Sequence, residues 1–159
     1  MQETRITFRL FVYGTLKRGG VNHPPFCKGA LTITAAVVWG RLYRLPTAIP
    51  ALAVPEELIR ARGTADPRAD AQTANDFPAA PFPARPAGDW ELIRGQILTF
   101  ADPEREIPPI DRLERLHPGG GGNYERVLLP ALCQNQALPV WLYRMHTIVG
   151  RRIGRTWHR

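Results

Sequence analysis

The chain has 159 residues, of which 44% are hydrophobic and 22% charged, and its net charge at neutral pH is +7. This length and apolar content suit a single domain, residues 1–159, that buries its own core without disulfides or a structural metal. The two cysteines, Cys27 and Cys133, have no CxxC or Cys/His spacing, so we interpret both as small buried residues and expect neither a disulfide framework nor a zinc site.

No apolar run approaches the roughly 20 residues that a membrane span requires, and the first residues carry no apolar signal-peptide core. We therefore expect a cytoplasmic protein with no membrane partner. The arginines are scattered, apart from a cluster of four in the basic tail at 147–159, namely Arg151, Arg152, Arg155 and Arg159. We interpret this tail as solvated and frayed, and a specific nucleic-acid partner is not expected because a basic tail alone gives weak, salt-sensitive binding.

The first half of the chain reads as a β-rich unit. Alternating apolar residues predict a strand over 5–13, which stops at Gly14 and is followed by a polar turn with a short helix. Two further strands are predicted over 31–38 and 41–45, separated by Gly40, and residues 49–54 extend the sheet.

The second half contains an insertion and then a return to order. Between residues 55 and 89 alanine, proline and arginine dominate and the hydrophobic period is lost, which predicts a surface insertion with one short helix near 56–61. A strand follows over 90–100, with a glycine in its middle that suits a bulge or a barrel bend. The pair Pro108-Pro109 predicts the start of a short helix that runs to about Leu116.

Two strands close the chain, 124–133 and 137–146, and the polar turn Gln134-Asn135-Gln136 predicts that they form a hairpin. The run from His117 to Gly122 follows the predicted helix, whereas a phosphate loop would precede one. We interpret it as a connector or lid.

Glu114 is the first candidate for chemistry. With about 100° per residue and Ile110 at zero, it lies near 40°, at the margin of the apolar stripe. Asp111 and Arg115 fall on the predicted solvent side, where they would form an i,i+4 pair. Burial at the margin would raise the pKa of Glu114 toward the range useful for proton transfer, and the alternative is an ordinary carboxylate on a helix rim.

The turn at Tyr13-Gly14-Thr15-Leu16 is the second candidate. A glycine at the abrupt end of a strand lets successive backbone N–H groups converge on one anion, and the alternative is a simple β-turn. The run GTLKRGG lacks the spacing of a Walker loop. The four histidines show no ligand spacing, so no metal site is expected.

Several stretches resemble the gamma-glutamylcyclotransferase-like family. FVYGTLKRGGVNH at 11–23 resembles its amino-terminal signature, closest to the gamma-glutamylamine cyclotransferase branch. GRLYRLPTAIPAL at 40–52, RGQILTF at 94–100, IDRLERLHPGGGGNYERVLL at 110–129 and VWLYRM at 140–145 follow in the family's order. The resemblance implies an α+β fold, with a small, mixed, barrel-like β-sheet and one or two short helices.

The resemblance also implies a site and a reaction. The backbone of Gly14, Thr15 and Leu16 would bind the alpha-carboxylate end of a gamma-glutamyl group, and Tyr13 and Tyr124 would line the pocket. Glu114 would be the acid/base residue, although Arg115 replaces the glycine that often follows this glutamate.

The implied enzyme cyclises a small gamma-glutamyl amine or peptide to 5-oxoproline without a cofactor and releases the amine. The alternative is a catalytically inactive relative that binds a metabolite, a protein or RNA. The residues indicate neither the leaving amine nor the oligomeric state.

Overall fold

The computed structural model describes residues 6–14, 16–20, 23–114 and 124–157. The elements that position the site are strands and three α-helices within these ranges. In chain order they are β1 (Phe8–Val12), α1 (His23–Cys27), β2 (Thr32–Arg44), β3 (Pro50–Ala53), a 3₁₀ turn (Glu56–Leu58), β4 (Ala61–Arg62), α2 (Pro67–Asp76), β5 (Glu91–Phe100), α3 (Pro103–Leu113), β6 (Tyr124–Cys133), β7 (Gln136–Met145) and β8 (Arg151–Arg152).

Five strands form a closed barrel. The hydrogen-bonded order β2-β5-β1-β7-β6 returns to its start because β2 also pairs with β6, at Val37 and Leu132. The pairing of β1 with β7 is parallel, at Leu10 and Trp141, while the other pairings are antiparallel. The prediction of an α+β fold with a mixed, barrel-like sheet is confirmed.

Two glycines permit close backbone packing in the barrel wall. A Cβ atom on Gly40 would lie 2.9 Å from the carbonyl oxygen of Ala53, and one on Gly95 would lie 2.5 Å from Cζ of Phe11. Gly40 therefore does not interrupt β2, which runs as one strand where two were predicted. At Gly95, the glycine predicted to suit a bulge or a barrel bend, β5 lies close against β1.

The predicted hairpin is confirmed and is formed by β6 and β7. Its loop has two residues, where three were predicted. Its two loop residues, Gln134 and Asn135, have φ values of 50° and 64°. Positive φ at both positions is the pattern of a type I′ turn, whose twist matches that of the flanking strands.

Two hydrophobic clusters stabilise the molecule, and they lie on opposite faces of the same strands. The cluster inside the barrel includes Phe11, Val38, Leu42, Ile93, Val127, Leu129, Val140 and Leu142. The cluster between the barrel and the helices includes Phe8, Leu10, Leu16, Ala71, Ala74, Ile107, Ile110, Leu128 and Trp141. The alternation of side chains along each strand distributes them between the two clusters.

Helix α2 lies within the predicted insertion and packs on the barrel. Its N-terminus is capped by the Asp66 carboxylate, which accepts hydrogen bonds from the N–H groups of Arg68 and Ala69 at 3.1 Å each. Its buried face includes Ala71 and Ala74. Because alanines give only a weak periodic signal, the sequence predicted an irregular segment where a packed helix stands.

Helix α3 begins five residues earlier than predicted. Its first residue is Pro103, preceded by Asp102, while Pro108 and Pro109 lie inside the helix. A proline is favoured at the first helical position, and the error was to assign that position to Pro108. Each interior proline removes one helical hydrogen bond. The same stretch of helix also buries Ile107 and Ile110 completely, and this burial stabilises it.

The C-terminal segment is packed where a frayed tail was expected. Strand β8 pairs with β2, the backbone N–H of Arg94 donates to the carbonyl of Arg155 at 2.8 Å, and Trp157 is 7% exposed. Arg152 forms ion pairs with Asp89 and with Glu91, the latter at 3.6 Å. These contacts neutralise part of the basic cluster, and Arg159 lies outside the described residues.

Both cysteines are buried and free, as predicted. Across the described ranges no α-helix is long and apolar enough to cross a membrane.

Candidate active site

Glu114 is the residue that ends helix α3. Its N–H donates to the carbonyl of Ile110 at 2.9 Å, and its side chain is partly buried. On the same helical wheel the buried positions Pro103, Ile107 and Asp111 fall near about 20°, 60° and 100°. Glu114, near 40°, therefore points to the middle of the buried arc, where the sequence placed it at the margin.

The protonation of Glu114 is shifted into the neutral range. Burial raises the pKa of its carboxyl group to about 7, and the nearby negative charge of Asp111 adds to the effect. A carboxyl group with a pKa near neutrality can both accept and return a proton.

Tyr13 directly follows β1 and is buried. Its hydroxyl donates to the carbonyl of Tyr143 at 2.8 Å. Burial raises the pKa of Tyr13 well above its ordinary value, and the charges of Glu114 and Tyr124 raise it further. Electrostatic interactions of this kind require proximity, so the fold brings Tyr13, Glu114 and Tyr124, which are far apart in the chain, into one region.

The predicted anion-binding turn is closed by a backbone hydrogen bond from Lys17 N–H to the carbonyl of Gly14 at 3.0 Å. Gly14 does not adopt a positive φ. A glycine is required at position 14 because the backbone there lies close to the ring of Pro50. A Cβ atom at this position would clash with that ring. Leu16 is buried in the cluster that contains Ile110, while Thr15 lies outside the described residues.

Tyr124 begins β6 and connects to the same turn through Pro50. Its hydroxyl donates to the Pro50 carbonyl at 3.1 Å, and its ring packs at the edge of the cluster between barrel and helices. Pro50 thus contacts both Gly14 and Tyr124, a link that local sequence patterns do not predict.

Asp111 is buried, which corrects its predicted place on the solvent side. It is 6% exposed, and both of its oxygens accept from Arg126, at 3.1 Å each. Its Oδ1 also accepts from the Tyr143 hydroxyl at 2.6 Å. The helical wheel placed the Asp111 carboxylate on the solvent side, and burying a charge is costly. In the folded protein the guanidinium group of Arg126 compensates that cost. The expected partner, Arg115, lies outside the described residues.

Sequence reasoning also missed Arg126. This residue occupies the alternating position of β6 between Tyr124 and Leu128, on the face that packs against the helices. An arginine at a position of an apolar strand where hydrophobic residues alternate indicates a buried ion pair. The sequence of β6 shows this pattern, so the burial of Arg126 could have been predicted.

The predicted connector or lid at 117–122 lies outside the described residues. Within the described ranges no group of three or more His, Cys, Asp and Glu side chains could hold a metal ion.

An open groove of about 610 Å³ lies elsewhere on the molecule. Its lining includes Trp39, Trp90 and Arg152 but none of the candidate site residues. The charges there are largely matched, since Arg152 pairs with Asp89 and Glu91. We therefore locate the candidate chemistry at Glu114 and assign the groove no role.

Comparison with family models relates the first part of the chain to one family. Residues 10–66 match the family model described as gamma-glutamyl cyclotransferase, AIG2-like. The match includes the turn but ends before Glu114 and Tyr124. No curated protein sequence matches the chain significantly.

One solved structure shares the fold. An AIG2-like protein from Mus musculus has a TM-score of 0.51 and 18% sequence identity, with 90% of this chain and 80% of that chain covered. A protein from Arabidopsis thaliana, determined in solution, has a TM-score of 0.46 and 16% identity, covering 91% of this chain and 66% of that chain. Residues 10–66 are therefore similar to the gamma-glutamyl cyclotransferase, AIG2-like family, and the chain shares the fold of the AIG2-like protein from Mus musculus.

Proposed function

We propose that the protein is a gamma-glutamyl cyclotransferase-type enzyme that converts a small gamma-glutamyl amine or peptide to 5-oxoproline and a free amine. The observation that carries this proposal is the state of Glu114. It is a partly buried carboxyl group whose pKa burial raises to about 7, and it interacts electrostatically with Tyr13 at the start of the glycine turn.

The reaction is an intramolecular aminolysis. The alpha-amine of the substrate attacks its own gamma-carbonyl carbon, a new C–N bond closes the five-membered ring, and the original amide C–N bond breaks. Glu114 takes one proton from the alpha-ammonium group before attack and a second from the same nitrogen after the ring closes. Both protons pass to the leaving nitrogen, which departs as an ammonium ion, so the reaction consumes no cofactor. Since both reacting groups belong to one molecule, holding the substrate folded supplies much of the rate.

The glycine turn is the proposed binding site for the alpha-carboxylate. Backbone N–H groups of Gly14, Thr15 and Leu16 would hold this anion, and Tyr13 and Tyr124 would line the cavity. The developing oxyanion on the gamma-carbonyl needs a donor, for which the turn amides and the Tyr124 hydroxyl are the two candidates. The hydroxyl would have to give up its hydrogen bond to the Pro50 carbonyl to serve as that donor.

The nature of the leaving amine is a finer proposal. The signature at 11–23 favours the gamma-glutamylamine branch, so we propose gamma-glutamyl-lysine as the first compound to assay. The expected cytoplasmic location remains a prediction from the sequence.

The test is release of 5-oxoproline from gamma-glutamyl-lysine and from gamma-glutamyl dipeptides. We expect Glu114→Gln to keep the fold and to lose about 10²- to 10⁴-fold in kcat, because it cannot accept the proton. The matched control is Glu104→Gln, on the exposed side of the same helix, where the carboxylate is 61% exposed. This control should turn over like the wild type.

Unchanged turnover in Glu114→Gln would refute the assignment of this residue. If the wild type releases no 5-oxoproline from any compound in the panel, the enzymatic proposal itself is wrong, and binding assays with the same compounds would then test the inactive-relative alternative.

A further inference from the structure

Arg126 is the centre of a buried ionic cluster, the Arg126 clamp, which consists of Arg126, Asp111, Asp70 and Tyr143. Arg126 is fully buried, and its Nη1 lies 2.6 Å from Oδ2 of Asp70. Its Nε and Nη2 bind the two oxygens of Asp111 at 3.1 Å each, in the two-pronged geometry that gives guanidinium–carboxylate pairs their directional strength. Tyr143 completes the clamp by donating to Asp111.

The clamp joins four elements. Asp70 belongs to α2, Asp111 to α3, Arg126 to β6 and Tyr143 to β7. Asp70 is further held by Thr64, whose N–H and hydroxyl donate to it at 2.9 and 2.8 Å. Both carboxylates are therefore fixed from more than one side, and α3 cannot slide or rotate without breaking the two-pronged pair.

Asp111 lies one helical turn before Glu114. Residues three apart on a helix are neighbours on its surface, so the clamped carboxylate and the proposed acid/base group share one face of α3. The clamp holds two carboxylates against one guanidinium and so has a net charge of −1. Of the two carboxylates in the clamp, Asp111 is the one closer to Glu114 in the sequence.

We propose that Asp111 is a positioning residue for the reaction: the Arg126 clamp fixes the last turn of α3 and places a negative charge beside Glu114. This proposal rests on the proposed role of Glu114. Asp111 touches no reacting atom in this scheme and acts through Glu114 alone.

Other titratable groups face Glu114 from neighbouring elements. They are Cys27 on α1, Tyr13 at the end of β1 and Tyr143 on β7. Burial raises the pKa of Cys27 to about 12 and those of the two tyrosines well above their ordinary values, so all three are neutral at pH 7. Among these groups Asp111 is therefore the one whose charge acts directly on Glu114.

The test follows the titration of the Glu114 side chain by ¹³C NMR in the free protein, together with the pH dependence of 5-oxoproline release. We expect Asp111→Asn to lower the titration midpoint and the acid limb of kcat/KM by about one pH unit, because a nearby like charge is removed. The matched control is Asp70→Asn, which removes the other carboxylate on Arg126. It should destabilise the fold similarly but shift the Glu114 midpoint by less than half as much.

A third variant covers the case in which loss of a buried charge prevents folding. Tyr143→Phe keeps both carboxylates and the ring, and removes only the hydroxyl that donates to Asp111. We expect the Glu114 midpoint to rise, because the charge of Asp111 is then less shielded.

The outcomes separate the two proposals. Equal shifts in Asp111→Asn and Asp70→Asn, or no shift in any folded variant, would overturn the role of Asp111. A wild type without activity would overturn the enzymatic function, while the NMR titration would still decide whether Asp111 controls Glu114.

Discussion

At the residue scale, Glu114 combines a functional gain with a cost in stability. Burial raises the pKa of its carboxyl group to about 7, well above the ordinary value of 4.5. The folded state therefore binds more protons than the unfolded state between these two values. By linkage this favours the folded state at low pH and lowers its free energy of unfolding as pH rises from 4.5 to 7.

The direction in which the free energy of unfolding changes with pH can be tested without an activity assay. Glu114→Gln should be more stable than the wild type at pH 8.5, by up to about 3 kcal/mol, and the advantage should vanish near pH 4. Urea denaturation at both pH values measures the difference. An advantage that is independent of pH would contradict the raised pKa.

Gly14 is a second residue that we expect to be sensitive to substitution, because its backbone lies against Pro50. Gly14→Ala places a methyl group against the ring of Pro50, a rigid neighbour, so the turn must move. We expect KM for the gamma-glutamyl substrate to rise at least about tenfold, roughly the loss of one hydrogen bond to a charged group, with a smaller change in kcat. Gly154→Ala is the control, because a Cβ atom there meets nothing within 4 Å. An unchanged KM in Gly14→Ala would argue against the turn as the binding site.

At the element scale, the helices are held to the barrel by charge as well as by apolar contact. Helices α2 and α3 each contribute one buried carboxylate to Arg126 on β6. Burying three ionised groups carries a large desolvation cost, which their mutual attraction offsets only while all three are present. The cluster therefore specifies how α2 and α3 sit on β6 more than it adds net stability.

Arg126→Ala should consequently destabilise the protein by about 3–5 kcal/mol, because it leaves two buried carboxylates without a cation. The triple change Asp70→Asn, Asp111→Asn and Arg126→Met should recover a large part of this loss. Arg68→Ala is the surface control, since its pair with Glu104 at 3.8 Å is exposed and should contribute less than about 1 kcal/mol. Similar losses in Arg126→Ala and Arg68→Ala, measured by urea denaturation, would contradict this account.

At the scale of the whole molecule, the C-terminal segment contributes to closing one end of the barrel. Trp157 packs with the residues inside the barrel, and Ile153 packs beside it. The N–H of Ile153 donates to the carbonyl of Leu42, and Lys17, next to the glycine turn, donates to the carbonyl of Trp157 at 3.2 Å. The end of the described chain is thus connected to the candidate site.

Trp157→Ala should lower the free energy of unfolding by about 3–5 kcal/mol, the usual cost of removing a buried aromatic side chain. Trp157→Phe is the informative comparison, because Nε1 of Trp157 is buried with no hydrogen-bond partner among the described residues. Phenylalanine keeps a ring and omits this unpaired donor, so it should lose clearly less than alanine. Thermal and urea unfolding of both variants decide the point, and a wild-type stability in Trp157→Ala would mean that the segment is not packed.

Local patterns were enough to predict much of this protein. Alternation of apolar residues located the strands, the polar turn at 134–136 predicted the β6–β7 hairpin, and the glycine after β1 marked the turn. The spacing from Ile110 identified Glu114 as the carboxylate with a buried side. Each of these inferences depends on residues within a few positions of one another, and such short-range preferences act before any tertiary contact forms.

Only the tertiary structure decided which charges are buried and which irregular segments are packed. Asp111 belongs inside because Arg126 lies opposite it, and α2 packs because its alanines allow a close approach to the barrel. The same holds for the C-terminal arginines, whose partners Asp89 and Glu91 are about 60 residues earlier in the chain. The cost of burying a charge is settled by a partner that is distant in sequence, so a local pattern could not show it.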